Sequence, residues 1–350
     1  NMKDLYLDNF YKLDLYGKSS KKPYNRGKSF GYQVLGFGSG VATAAALPTQ
    51  KGIFPFGSTF VVATDTFTRF NTSNIVNESG VMQADTAAAA GVSTINQGAG
   101  ATYGGDKAIH AFGNSDSNVT GNSTNVKNLI SNTGVVAATA SGVGTSRLEL
   151  SAVSFGSGNA LFAFGTTASG VTNIKNLVSD AGVVASDSTG VGTANTSRYE
   201  TSFGGVSAGT ALIALGSAGN RNLVSNTGVV ATDSTIGNAS SRTQGCGCTF
   251  GEDQGILMTG SGNVSNIVSN TGVIADNVSY VGSLTISIAA CGFGGDKGIA
   301  AFGNAIDGSS GERNTAKTNI VSNTGVVAST TDGASGVTGK QTEQASGFGN

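Results

Sequence analysis

The chain has 350 residues, 20 Lys or Arg against 21 Asp or Glu, a formal net charge of −1, 54 glycines, three cysteines and no tryptophan. Three cysteines are too few for a disulfide framework, and glycine at this density excludes a helical fold, since each costs ~1 kcal/mol relative to alanine inside a helix. Val, Ile, Leu and Phe return at fixed places along the chain, which excludes disorder and leaves short strands joined by glycine-rich turns.

Residues 1–40 carry seven Lys or Arg against three Asp, a net +4, and five of the eight tyrosines: Tyr6, Tyr11, Tyr16, Tyr24 and Tyr32. A basic, tyrosine-rich stretch ahead of a near-neutral body is expected to be a docking arm for other proteins. The opening residues lack a secretory-signal pattern, and no run approaches the roughly 18 apolar residues of a membrane span. Neither membrane insertion nor nucleic-acid binding is expected.

From residue 41 to 350 one unit recurs. Its marker is a Ser-Asn-Thr-Gly-Val turn or a variant of it, with glycines at Gly80, Gly134, Gly182, Gly228, Gly272 and Gly325. These lie 54, 48, 46, 44 and 53 residues apart. Periods of about 40–50 residues mark solenoids or propellers, because one such unit cannot bury its own apolar face. One unit reads as four strands: Arg147 to Phe155, Ala160 to Gly165, Asn173 to Ser179, and Val183 to Ser186. Turn glycines supply the positive φ that tight connections need.

The second strand recurs as Ala108 to Gly113, Ala160 to Gly165, Ala211 to Gly216, Gly255 to Gly260 and Gly298 to Gly303. That is five copies for six turns. The sixth stands near the other end, where Lys51-Gly52-Ile53-Phe54-Pro55-Phe56-Gly57 matches Lys297 to Gly303 without a gap. The closing Ser346-Gly347-Phe348-Gly349-Asn350 in turn matches Cys291 to Gly295. One unit is thus split between the two ends. An open rod has no need of this, whereas a ring hides its edges by it. The expectation is an all-β, six-bladed β-propeller with an N-terminal extension, closed by pairing of N- and C-terminal strands. Lys51, Ile53, Phe56 and Phe348 are the residues of closure. Ala101, Val153, Thr201, Cys248, Cys291 and Ser346 share one place on the first strand and should crowd where blades converge.

The order Arg147, Phe155-Gly156, Ala160 to Gly165, Asn176, Asp180 resembles the kelch pattern of β-propellers over roughly residues 50–350. Tandem units of the form Gly-Gly-Asp-Lys-Ala-Ile … Phe-Gly … Asn-Leu-Val-Ser-Asn-Thr-Gly-Val-Val, at Gly104 to Gly113, Asn128 to Val136, Asn222 to Val230 and Gly294 to Gly303, are similar to repeat proteins of marine bacteriophages. So is the stretch Gly31 to Gly40. That resemblance implies a virion structural protein, a capsid decoration or tail appendage held by its arm, present in many copies, with other virion proteins as partners and host-surface glycan as a further one.

No residue set reads as a catalytic, metal or cofactor site. His110 is the single histidine and stands inside a second strand, as a packed ring. Cys248 and Cys291 occupy equivalent places in successive units, as small core filler. Asp106-Lys107 and Asp296-Lys297 read as hydrated turn pairs. Glu149 and Glu200 each follow an arginine by two residues, yet fall out of register when the units are aligned on Phe155 and Phe203. Two readings from other classes stand beside the virion one: a carbohydrate-binding or adhesin module of a bacterial surface protein, and a glycan-cleaving enzyme with carboxylates gathered at the channel mouth.

Overall fold

A computed structural model of the chain describes residues 50–349, apart from 62–65, 116–121, 197–198, 204–208, 217–218, 238, 259–261, 306–313 and 343. The chain divides into two units, Asn1–Leu47 and Pro48–Asn350. The second holds every described residue, so the expected docking arm with Tyr6, Tyr11, Tyr16, Tyr24 and Tyr32 lies outside them.

All regular elements among the described residues are strands, and they form a six-bladed β-propeller. Blade 1 takes its innermost strand from the C-terminus, Ser346–Phe348, followed outward by Lys51–Pro55, Thr72–Val76 and Thr86–Ala87. Blade 2 has Ala99–Tyr103, Lys107–Ala111 and Lys127–Ile130. Blade 3 has Ser151–Phe155, Asn159–Ala163, Ile174–Val178 and Ser188–Thr189. Blade 4 has Tyr199–Phe203, Thr210–Leu215, Asn220–Val224 and Ser234–Thr235. Blade 5 has Cys246–Phe250, Gln254–Met258, Val264–Val268 and Val278–Ser279. Blade 6 has Ala289–Phe293, Lys297–Ala301 and Thr318–Val321.

The first strand of each blade packs on the first strand of the next, from blade 1 through blade 6 and back to blade 1. The circle is therefore closed around an axis. Closure is by antiparallel pairing of the two chain ends: Lys51 opposite Phe348, Gly52 opposite Gly347, Ile53 opposite Ser346.

Burial explains the strand sequences. Second strands lie between neighbouring blades and read as continuous apolar runs, such as Ala-Leu-Phe-Ala at 160–163, all buried. First and third strands alternate, as in Ala99–Tyr103 and Asn220–Val224. The fourth strand differs from expectation. Instead of a run at Val183–Ser186 there is a single bridge, Val178 opposite Val184, and then a short exposed pair at Ser188–Thr189. At the rim only one face can be buried, so the ladder there is held by two points.

Second strands end at a sharp corner. Phe56, Phe112, Phe164, Leu215 and Phe302 all have φ between 60 and 67, the left-handed region. For a bulky residue this costs roughly 1–2 kcal/mol. The corner turns the ring into the seam: Phe112 meets Phe162 of the next blade edge-on at 5.3 Å, and Phe302 meets Phe54 at 5.4 Å. Burying such a ring returns about 2–3 kcal/mol, which offsets the strain.

Candidate functional site: seams, channel and faces

Antiparallel order places the turns between strands one and two, and between strands three and four, on one face of the ring. The links from strand two to three, and from each blade to the next, fall on the other. The link Ala138–Ser146 therefore runs along that second face.

On the link face every blade contains the same buried clamp. A fully or almost fully buried asparagine on the third strand (Asn74, Asn128, Asn176, Asn222, Asn266, Asn319) donates to a carbonyl nine residues on and to a side chain eleven residues on. In blade 3, Asn176 Nδ2 donates to the Ala185 carbonyl at 3.0 Å and to Asp187 Oδ1 at 2.9 Å. The segment leading into the blade crosses this end from rim to axis. Its Thr145 amide and hydroxyl donate to Asp187, at 3.0 and 2.6 Å. Two residues later Arg147, fully buried, donates to Asn176 Oδ1 at 2.6 Å and lies 4.1 Å from the centre of the Phe112 ring in blade 2. Burial pushes the Arg147 guanidinium down to about 10, against the pull of Asp187. Burial alone would raise the Asp187 carboxyl, but bonds from Thr145 and Asn176 and the charge of Arg147 hold it below the usual range.

The cation's seat is filled differently around the ring. Arg242 takes it in blade 5, 2.6 Å from Asn266 Oδ1, and Lys340 in blade 1, 2.9 Å from Asn74 Oδ1. In blade 2 the seat holds Ile95. There the acceptor is Thr139 rather than a carboxylate, and Asn128 Oδ1 has no hydrogen-bond partner.

The turn face is tied by backbone. The Gly104 amide donates to the Gly158 carbonyl of blade 3, Gly156 to Gly209 of blade 4, Gly251 to Asp296 of blade 6, Gly294 to Gln50 of blade 1, and Gly349 to Asp106 of blade 2. The last two straddle the chain ends. Each strand-three-to-four glycine also seats against the preceding blade's aromatic ring. At Gly228, φ is +76 and an added Cβ would come within 2.6 Å of Phe155. Tyr103, Phe155, Phe203, Phe250, Phe293 and Phe348 play this part for Gly182, Gly228, Gly272, Gly325, Gly80 and Gly134. The side chains of these turns stay at the surface: Asn132 donates to Asp106, Asn270 to Asp253 and Asn323 to Asp296.

The innermost strands reach solvent through Gly100, Thr102, Ser154, Glu200, Ser202, Gly247, Thr249, Ala290, Gly292 and Ala345. Hydroxyls there run from blade to blade, Thr102 to the Gly347 carbonyl, Ser154 to that of Thr102, Ser202 to that of Ser154. Glu200 is the single carboxylate at these places among the described residues. Glu149 lies outside the strand at a left-handed residue, φ 53, so the two glutamates are not equivalent and do not form a pair.

Cys248 and Cys291, with the small residues that share their place, sit in the seams. Each sulfur fills the space left by a glycine of the next blade, Gly298 and Gly52. Burial raises both thiols, Cys248 to about 12 and Cys291 well above its ordinary value. His110 is fully buried, its Nε2 2.9 Å from Ser346 Oγ and its Nδ1 3.4 Å from Gln344 Oε1. Burial holds it neutral, down to about 3. It therefore ties blade 2 to the C-terminal strand. No group of three or more metal-ligating side chains is found among the described residues.

The residues of closure come together as the strand register requires, with Phe56 at the corner of the same blade. The six turn glycines each open one blade's outer strand. One surface feature had no counterpart in the sequence reading. The valines after the turn glycines, Val81, Val135, Val183, Val229, Val273 and Val326, are 55–65% exposed, an apolar ring on the rim of the turn face. No protein-family model matches the sequence, and no curated protein matches it either.

Proposed function

We propose that this protein is a non-enzymatic structural component of a virus particle, a kelch-like propeller of a bacteriophage that decorates the capsid or forms part of the tail, held by residues 1–40. The observation that supports it most is where the repeat's polar groups go. The buried asparagines and their partners eleven residues on fasten each blade's outer segment to its third strand, while the seated cation Arg147 and the turn amides reach the neighbouring blade. The repeat is thus a device for making a rigid closed ring. The exposed valine ring gives such a disc an apolar rim for neighbours in an assembly, and the link face offers variable loops for host contact.

The test is location and attachment. Antibodies against the propeller should decorate intact particles in electron micrographs, and protein lacking residues 1–40 should fold yet fail to join the particle. Label on bacterial envelopes in place of particles would overturn the reading in favour of an adhesin, and a truncated disc that still assembled would overturn the role of the arm.

A further inference from the structure

The seat in blade 1 differs from its equivalents in one chemical respect. Where blades 3 and 5 place an arginine, blade 1 places Lys340, whose amine is a nucleophile when uncharged. Lys340 is 1% exposed and Asn74 fully buried. The Lys340 Nζ lies 2.9 Å from Asn74 Oδ1 and 3.2 Å from the Phe54 carbonyl, beside the Phe302 ring at 4.7 Å. On the other side of the amide, Asn74 Nδ2 donates to Asp85 Oδ1 at 2.7 Å. A primary amine and a carboxamide thus stand together in a dry site, with a partly exposed carboxylate on the far side of the amide. They belong to the one blade assembled from both chain ends, with Lys340 and Asn74 266 residues apart.

We propose that Lys340 and Asn74 form an intramolecular isopeptide bond that seals the ring, with Asp85 assisting the departure of Nδ2. The uncharged Nζ adds to Asn74 Cγ, and the carbonyl π pair moves onto Oδ1. Within the adduct a proton moves from Nζ to Nδ2, where the Asp85 carboxylate, accepting from Nδ2 at 2.7 Å, steadies the ammonium that forms. The Cγ–Nδ2 bond breaks with its pair on nitrogen, the carbonyl re-forms, and ammonia leaves. Amine plus primary amide gives secondary amide plus ammonia, without oxidant, reductant or co-reactant. The Phe54 carbonyl accepts from the amine and orients it. Desolvation brings the Lys340 ammonium down to about 7 against the pull of Asp85, so much of it is uncharged at neutral pH. Asp85 stays ionised: its burial is outweighed by bonds from Thr338 and Asn74 and by the charge of Lys340. Asp85 is the charged group facing Lys340 in this site. The same geometry in blade 3 is inert because a guanidinium does not lose its proton in water.

The experiment is intact-mass spectrometry of the folded full-length chain after incubation in mildly alkaline buffer, followed by protease digestion. The expected result is a mass one ammonia below that of the sequence, and a branched fragment joining the segments around Asn74 and Lys340. Lys340→Arg keeps the cation, as blade 3 does, and should show the full sequence mass with an unchanged circular dichroism spectrum. Asp85→Asn should slow the reaction by on the order of a hundredfold, the usual share of one group that stabilises developing charge. A folded wild-type chain that keeps its full mass overturns the proposal. So does an ammonia loss that persists in Lys340→Arg, which would assign it to another residue.

Discussion

Blades 2 and 3 are neighbours built on one template, and they differ at the buried seat. Blade 3 has Arg147 against Asn176 and Asp187, while blade 2 has Ile95 against Asn128 and Thr139. Between these two blades cation and carboxylate change together, which spares blade 2 a buried charge without its partner. Blade 5 keeps the cation beside a neutral partner, Arg242 against Asn277. What stays constant is the asparagine, because its amide supports the backbone of the outer strand whether or not a cation arrives. The same two blades differ at a second place, where His110 stands in blade 2 and Phe162 in blade 3.

The strongest way to break this comparison is to remove the asparagine from each blade. Asn176→Leu should cost about 4 kcal/mol, since it leaves Arg147 buried without its main acceptor. Asn128→Leu should cost only about 1–2 kcal/mol, since its Oδ1 has no partner to lose. Equal losses in chemical denaturation would show that the seat carries no weight.

Next come the turns. Gly228→Ala should cost about 3 kcal/mol, combining a positive φ with a clash against Phe155. Gly170→Ala, also at positive φ but with nothing within 4 Å, should cost about 1 kcal/mol. A matching loss at both sites would remove the claim that turn glycines are seam contacts.

Acid sharpens the second difference. His110 in the folded protein takes up its proton near pH 3, and in the unfolded chain near 6.5. Its contribution is therefore complete above 6.5 and is lost as pH falls through that window. The loss is up to about 1.4 kcal/mol per unit, or roughly 2 kcal/mol between pH 7 and pH 5. His110→Leu should flatten that part of the stability profile. Parallel profiles for the two proteins would contradict the assignment.

The smallest effect belongs to the rim. Val229→Ser should change stability by no more than about 0.5 kcal/mol, because this valine is 59% exposed. A larger loss would make the valine ring part of the fold rather than an offered surface.

Much of the architecture was legible because glycine and strand patterns repeat at a fixed period, and the split unit at Lys51 and Phe348 follows from matching copies alone. The clamp was not read, although it left a signal. Asn74, Asn128, Asn176, Asn222, Asn266 and Asn319 each precede the turn glycine by six residues, and each falls on the buried side of an alternating strand. A polar residue held there in every copy marks a buried hydrogen-bonding role. The turn glycines were read for their φ alone, because the Phe155-type ring that presses on each comes from the preceding unit, and spacing within one unit cannot show it. The fourth strand was overextended because valines after a turn look alike whether they pair or face solvent.

The central claim is that the chain ends meet inside one blade. Phe348-Gly349-Asn350 followed by Gln50-Lys51 has the same length as Tyr103 to Lys107, so a direct Asn350–Gln50 fusion should rebuild an ordinary turn. The decisive measurement is the thermal unfolding of such a circular permutant, without residues 1–49 and opened at the exposed turn before Gly170. A closed ring requires one cooperative transition within about 4 °C of the parent, the shift that ~1 kcal/mol produces in a domain of this size. A permutant that is unfolded, or that melts without cooperativity, would contradict the closed ring.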